Sequence, residues 1–267
     1  MRFKLIGAVA LLVLASFLPS SAQAQMVMGD AWQGFYAGLN VGGVINDGSW
    51  NLSPSGCFLT NPACSGPPGT NALRTFGGGL DHGGVLGGVQ GGYNWHFAPS
   101  WVLGVEADFD GGGVDSAGDL AVTPVTGPLL SGTSTHFVSQ TQSYLGTVRG
   151  RLGWLATPDL MLYGTGGFAY GSITTSAGVS FATTTDVYIG KTSSVRTGYA
   201  AGGGAEYAIN PQWSLKAEYL YVNFGNVSTT SNNLTTPTFG AFPAEPFTHS
   251  IDLKANIARV GLNYKLN

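Results

Sequence analysis

The feature that most restricts this chain is a two-residue period that returns along its 267 residues. Successive side chains of a strand point to opposite faces, so alternation describes a strand with one apolar face and one small or polar face. In 34–44, Phe35, Ala37, Leu39 and Val41 share one face; Tyr36, Gly38, Asn40 and Gly42 share the other. In 84–98, Val85, Val89, Tyr93, Trp95 and Phe97 oppose Gly88, Gln90, Gly92, Asn94 and His96. In 101–110, Leu103, Val105, Ala107 and Phe109 oppose Glu106, Asp108 and Asp110. In 142–155, Tyr144, Val148, Leu152 and Trp154 oppose Thr147, Arg149, Arg151 and Gly153. Segment 160–171 reads with Leu160, Leu162, Phe168 and Tyr170 outward and Tyr163 and Thr165 inward. Segments 194–209, 213–224 and the C-terminal stretch repeat the pattern, ending on Val260, Leu262, Tyr264 and Leu266 against Arg259, Asn263 and Lys265. The reading is eight strands, each with an apolar face about ten residues long, which suits a tilted strand crossing a bilayer.

Composition removes the competing classes. Only 9% of residues are charged, against about 25% in soluble domains. Aromatics make up 12%, which excludes a disordered chain. The 42 glycines have no three-residue period, which excludes collagen. With 11 basic and 14 acidic residues and no basic run, nucleic acid is not a partner.

The N-terminus supplies the compartment. Arg2 and Lys4 precede the apolar run Leu5 to Leu18, and Ala22-Gln23-Ala24 is a small-x-small cleavage site. Residues 1–24 read as a secretory signal peptide; the alternative is a short membrane anchor. Removing them takes the formal charge from −3 to −5. No later run approaches the ~20 apolar residues of a spanning helix, so residues 25–267 form one exported domain, soluble or a membrane-spanning β-barrel.

The connections choose between these. Ala98-Pro99-Ser100, Thr157-Pro158-Asp159 and Asn210-Pro211-Gln212 are tight turns. The other connections, 46–83, 111–140, 172–193 and 225–249, read as long loops rich in Ser, Thr, Gly and Pro. Trp95, Trp101, Trp154 and Trp213 gather at the short-turn end, as an interfacial girdle does. The expectation is an all-β, eight-stranded antiparallel transmembrane barrel with short periplasmic turns and long extracellular loops.

Charges within the strands fall on the non-apolar face: Glu106, Asp108, Arg149, Arg151, Arg196, Glu206, Lys216, Glu218 and Arg259. Their mixed sign favours ion pairs bracing a filled lumen; the other reading is a selectivity filter or proton path. Eight strands leave an interior just wide enough for side chains. Cys57 and Cys64, separated by six residues in the first long loop, read as a disulfide in an oxidising compartment. Free thiols are the alternative, and metal ligation lacks accompanying ligands. His82, His96, His136 and His249 are scattered, and surface histidines of this kind rarely ligate heme or metal. No catalytic triad or lipase elbow is present, and no cofactor or metal site is read from the chain.

These residues carry a resemblance. Trp32-Gln33-Gly34-Phe35-Tyr36-Ala37-Gly38-Leu39-Asn40 resembles the first strand of small alphaproteobacterial outer-membrane barrels of the porin type. Gly88 to Trp95 is similar to their second strand, and Trp213 to Phe224 and Ala258 to Lys265 to their last two. The chain thus resembles the rhizobial and Brucella-type surface-antigen family over most of 32–267. That likeness implies outer-membrane integrity, contact with lipopolysaccharide and, in some relatives, immunogenicity or hemin and host-surface capture through loops. It also implies a C-terminal signal for the outer-membrane assembly machinery, carried here by Arg259, Gly261, Tyr264 and Leu266. Leu266 stands where the family ends on Phe, and Asn267 follows it. The expected role is structural or surface-interacting, with a plugged lumen and no reaction. The alternatives are a narrow porin-like channel for small solutes and an outer-membrane hydrolase.

Overall fold

The computed structural model describes residues 31–54, 76–125, 132–181, 187–233 and 247–266. The expected signal peptide and the Cys57 and Cys64 pair lie outside these residues. Eight strands run β1 (Gly34–Pro54), β2 (Phe76–Ala98), β3 (Trp101–Val125), β4 (Gly132–Thr157), β5 (Leu160–Phe181), β6 (Val187–Ala208), β7 (Trp213–Asn233) and β8 (Phe247–Lys265). Each pairs antiparallel with its chain neighbours, and β8 returns to β1 to close a barrel. Closure answers the bilayer, where an unpaired strand edge would have no water to satisfy its N–H and C=O groups.

The tight turns are built as their residues dictate. Asn210 Oδ1 accepts from the backbone N–H groups of Gln212 and Trp213, both at 2.9 Å. Thr157 Oγ1 accepts from Leu160 N–H at 3.1 Å. Below the outer membrane boundary, the facing is that of the alternation. Phe35, Leu39, Val85, Val105, Phe168, Leu215 and Val260 are exposed to lipid, while Tyr36, Gln90, Glu106, Arg149, Lys216 and Arg259 are buried. The lower girdle includes Tyr93 and Trp95 at 4.6 Å and Trp213 and Tyr264 at 4.9 Å. An upper one includes the Phe109–Tyr144, Phe168–Tyr170 and Tyr199–Tyr221 ring pairs.

The expected long loops need correction. The strands run well into all four of them: β1 to Pro54, β3 to Val125, β5 to Phe181 and β7 to Asn233. The reason is a reversal of polarity along the strand, seen on β1, β5 and β8. On β8 the membrane half turns Arg259 and Asn263 inward and Val260 and Leu262 outward. Further up the same strand, Phe247, Ile251, Leu253 and Ile257 turn inward, and Thr248, Ser250, Asp252 and Lys254 outward. Above the lipid the wall meets water, so the apolar residues belong inside. A search for apolar faces turned outward stops at the membrane boundary and reads the polar continuation as loop.

Among the described residues, two strands also change the residue parity that faces inward. The ladder between β4 and β5 shifts between Gln142 and Tyr144, and that between β7 and β8 between Asn223 and Gly225. Even positions such as Val138 and Gln142 face in above the β4 shift, and odd positions such as Leu145 and Thr147 below it. A β-bulge does this because one inserted residue turns every later side chain to the opposite face.

The interior is filled in three layers. At the periplasmic end Trp32 packs with Val102, Met161, Tyr163 and Ala208, and its Nε1–H donates to Pro158 O at 2.9 Å. Polar and charged side chains fill the middle. Above them lies an apolar plug that includes Trp50, Leu52, Tyr188, Phe247 and Ile251. The upper part of β7 leans over β5, where Ser231 Oγ donates to Ala177 O at 3.1 Å.

The polarity reversal is testable on a single strand. Leu39→Arg places a cation at mid-bilayer and should destabilise the barrel by about 2–4 kcal/mol. Ser49→Arg, above the lipid, should change stability by less than about 0.5 kcal/mol. Urea midpoints in vesicles, followed by the heat-dependent gel shift, check both. Equal losses would mean that Ser49 also faces lipid.

Candidate functional site: the lumen

The middle layer begins with hairpin register. Glu106 on β3 lies directly opposite Arg149 on β4, and Glu218 on β7 opposite Arg259 on β8. Residues directly opposite share a face and reach each other, so each hairpin brings opposite charges together. The lumen then links the hairpins.

Arg149 is the hub. Its Nη2 donates to Glu106 Oε1 and Asp108 Oδ2, each at 2.7 Å. Its Nη1 crosses to Glu218 Oε1 at 3.1 Å. Arg259 donates to Glu218 Oε2 from Nε at 2.8 Å, to Asp110 Oδ2 from Nη1 at 2.8 Å, and to Asp108 Oδ2 from Nη2 at 2.7 Å. Lys216 Nζ reaches across to both Glu106 oxygens, at 2.9 and 3.0 Å. Arg151 joins Glu206 Oε2 at 2.5 Å and Glu106 Oε2 at 3.3 Å. Glu206 also accepts from Ser214 Oγ at 2.6 Å and Asn263 Nδ2 at 2.8 Å. Four cations and five carboxylates therefore share one fully buried cluster drawn from β3, β4, β6, β7 and β8.

Two tyrosines hold Arg151 in place. Its guanidinium lies 4.5 Å from the Tyr163 ring centre and 5.6 Å from that of Tyr36. Tyr36 Oη donates to Glu106 Oε2 at 2.7 Å and Tyr163 Oη to Glu218 Oε1 at 2.9 Å. Each ring lies over a glycine directly across the ladder, Tyr36 over Gly92 and Tyr163 over Gly204. A Cβ at Gly92 would meet the Val105 carbonyl oxygen first and stand 2.6 Å from Tyr36 Oη, and one at Gly204 would meet the Ala217 carbonyl oxygen first and stand 2.8 Å from Tyr163 Oη. These glycines give the aromatic rings room to lie down on the wall.

The structure places Glu106, Asp108, Arg149, Arg151, Glu206, Lys216, Glu218 and Arg259 together. Arg196 is a correction. It sits higher on β6, is half-buried, and donates from Nε to Ser194 Oγ at 2.9 Å; among the described residues it enters no ion pair. Inward parity alone placed it in the set, and parity says nothing about height along the lumen. Asp110 was left out of the set, although it continues the parity of Glu106 and Asp108. The neutral partners Tyr36, Tyr163, Thr147, Gln90 and Asn263 share the inward parity too, but nothing in their spacing marks them as ligands of the charges.

Two small voids among the described residues flank the cluster. The void beneath the cluster, bounded by Trp32, Tyr36, Asn94, Glu206 and Asn263, is about 20 Å³, and the one above, bounded by Val44, Leu86, Asp110 and Ile257, about 10 Å³. A single water needs about 10–15 Å³. At the C-terminus, Gly261 faces in beneath Gln90, while Tyr264 and Leu266 face outward.

Residues 10–265 match the family described as outer membrane protein beta-barrel domain. The chain belongs to this family. It is 35% identical over 256 residues to the 31 kDa outer-membrane immunogenic protein of Brucella melitensis, covering 92% of this chain and 89% of that one. The Brucella suis protein of the same description matches equally. Among solved structures, the outer membrane protein OprG of Pseudomonas aeruginosa is 16% identical, with a TM-score of 0.47 over 88% of this chain and 97% of that one. The protein is thus an outer-membrane β-barrel and a homologue of a surface antigen.

Breaking a buried ion pair by removing one partner costs about 3–5 kcal/mol, because the other charge stays behind unpaired. Arg149→Met should lose that much, and Arg196→Met less than about 0.5 kcal/mol. Gly204→Leu should cost about 1–3 kcal/mol by crowding the Ala217 carbonyl and the Tyr163 ring. Gly164→Ala, with nothing near its added Cβ, should be close to neutral. Urea midpoints of the refolded barrel measure all four.

Proposed function

We propose that the protein is a non-conducting anchor of the outer membrane, whose extracellular wall and connecting segments meet the envelope and outside surfaces. One observation carries this reading: the cross-lumen ion cluster of Glu106, Asp108, Arg149, Arg151, Lys216, Glu218 and Arg259 is sealed from above by an apolar plug. A permeating ion would have to strip a guanidinium from a carboxylate that is already engaged with it. The cluster's charges are engaged with one another, which supports a bracing role. This reading assigns the protein no reaction.

Placement supports the partners assigned in this reading. Lipid and lipopolysaccharide surround the apolar band and the hydroxyl-rich wall above it. The assembly machinery reads the outward Tyr264 and Leu266 with Gly261. The Brucella homologue is described as immunogenic, which supports exposure of the outer half to external surfaces; hemin or host contact would fall to the connecting segments.

The test is conductance of the refolded protein in a planar bilayer at neutral pH, once the gel shift shows a folded barrel. A folded and silent barrel is expected. Discrete, reproducible steps would overturn the reading in favour of a narrow channel. In that case neutralising Arg149 and Arg151 should shift the reversal potential away from anions.

A further inference from the structure

The apolar plug contains two histidines that the lumen cluster does not use. His136 enters from β4 and His249 from β8, and both are 0% exposed. His249 lies opposite Leu52 of β1 and Thr229 of β7, with Phe247 and Ile251 beside it on its own face. His136 lies opposite Val179 of β5, with Val138 beside it, and its Nε2 is 2.7 Å from Ser134 Oγ. Both ring nitrogens of His249 are buried with no hydrogen-bond partner among the described residues. Its neutral ring already leaves an N–H unsatisfied, and a protonated ring would bury an uncompensated charge.

Among the described residues the surroundings offer that charge no counterion. From β6 the facing titratable group is Tyr188, whose ring meets Phe247 at 4.8 Å. Inward neighbours are Trp50 and Leu52 on β1, Thr175 and Val179 on β5, and Thr229 and Ser231 on β7. Asp47 and Lys191 point outward. So do Asp252 and Lys254, which pair with each other. Asp115 and Asp119 of β3 occupy register positions opposite Thr141 and Val138, and Asp81 and His82 of β2 positions opposite Asp47 and Asn46. Among the described residues no carboxylate meets His249.

We propose that His136 and His249 form an acid-sensitive latch: protonation of the pair loosens the apolar plug of the outer half, while the ion cluster below keeps the membrane half closed. Burial pushes both imidazoles down from 6.5 to about 4, and a charge on His249 lowers His136 further. In a loosened, hydrated plug they titrate near 6.5. The loosened state therefore binds more protons as pH falls from about 6.5 to about 4. Across that window each histidine shifts the balance toward loosening by up to about tenfold per pH unit. Above about 6.5 both are neutral in either state, and the plug keeps its full stability.

Trp50, 1% exposed in the same layer, reports the change. The measurement is iodide quenching of tryptophan fluorescence in vesicle-embedded protein from pH 7.5 to 4, with W50F as the blank that isolates Trp50. Quenching of Trp50 should rise with a midpoint between pH 6.5 and 4. In H136F/H249F, which fills the sites with apolar rings, it should stay at its neutral level down to pH 4. A wild-type curve that stays flat, or a double variant that rises with it, would overturn the latch. If the double variant gives no folded gel band, H249F alone should move the midpoint to lower pH; an unmoved midpoint would overturn it as well. Neutral-pH conductance is a separate readout, so failure of the latch leaves the anchor reading standing.

Discussion

A charge inside a lumen this narrow has no hydration shell to fall back on. Transfer of an ion out of water is paid for only by close opposite charge and additional hydrogen bonds. That constraint orders the membrane half of the barrel. It explains why Glu106 faces Arg149 and Glu218 faces Arg259 across their hairpins, and why every cation in the cluster touches more than one carboxylate. It also explains why tyrosines flank Arg151, since an aromatic face and a phenol hydroxyl serve a buried guanidinium and its carboxylate together.

Much of this could be read from residues. Alternation at Leu103–Phe109 against Glu106 and Asp108 fixed both the strand and its inward face, because lipid tolerates no charge at that depth. Three Pro-containing turns located the periplasmic end. Legibility failed where the physical environment changed along the chain. The upper part of β8, from Phe247 to Ile257, alternates as regularly as the lower part, but with the opposite polarity. The Ser143 and Phe224 neighbourhoods hide parity shifts that no composition reveals. Arg196 shares the inward phase of the cluster but not its level, and level emerges only from strand tilt and register. Asp110 and the neutral partners were missed because a lumen is filled by neighbours from nonadjacent strands.

The two halves of the barrel obey different solvents. The membrane half is apolar outside and polar within; the outer half is built like a soluble β-barrel, with hydroxyls outside and Trp50, Leu52 and Ile251 within. Continuous ladders join the halves, so the backbone ignores a boundary that the side chains respect. Bulges on β4 and β7 let the inward phase be reset between the two regimes without breaking the sheet.

The height of this outer half has a consequence for what approaches the cell. From Tyr170 in the upper girdle, β5 continues to Phe181, which at strand rise and ordinary barrel tilt is roughly 25–30 Å of rigid wall. The strands thus act as a pedestal. They end at a stiff standoff above the lipid headgroups, so that a large approaching molecule meets protein before it meets membrane.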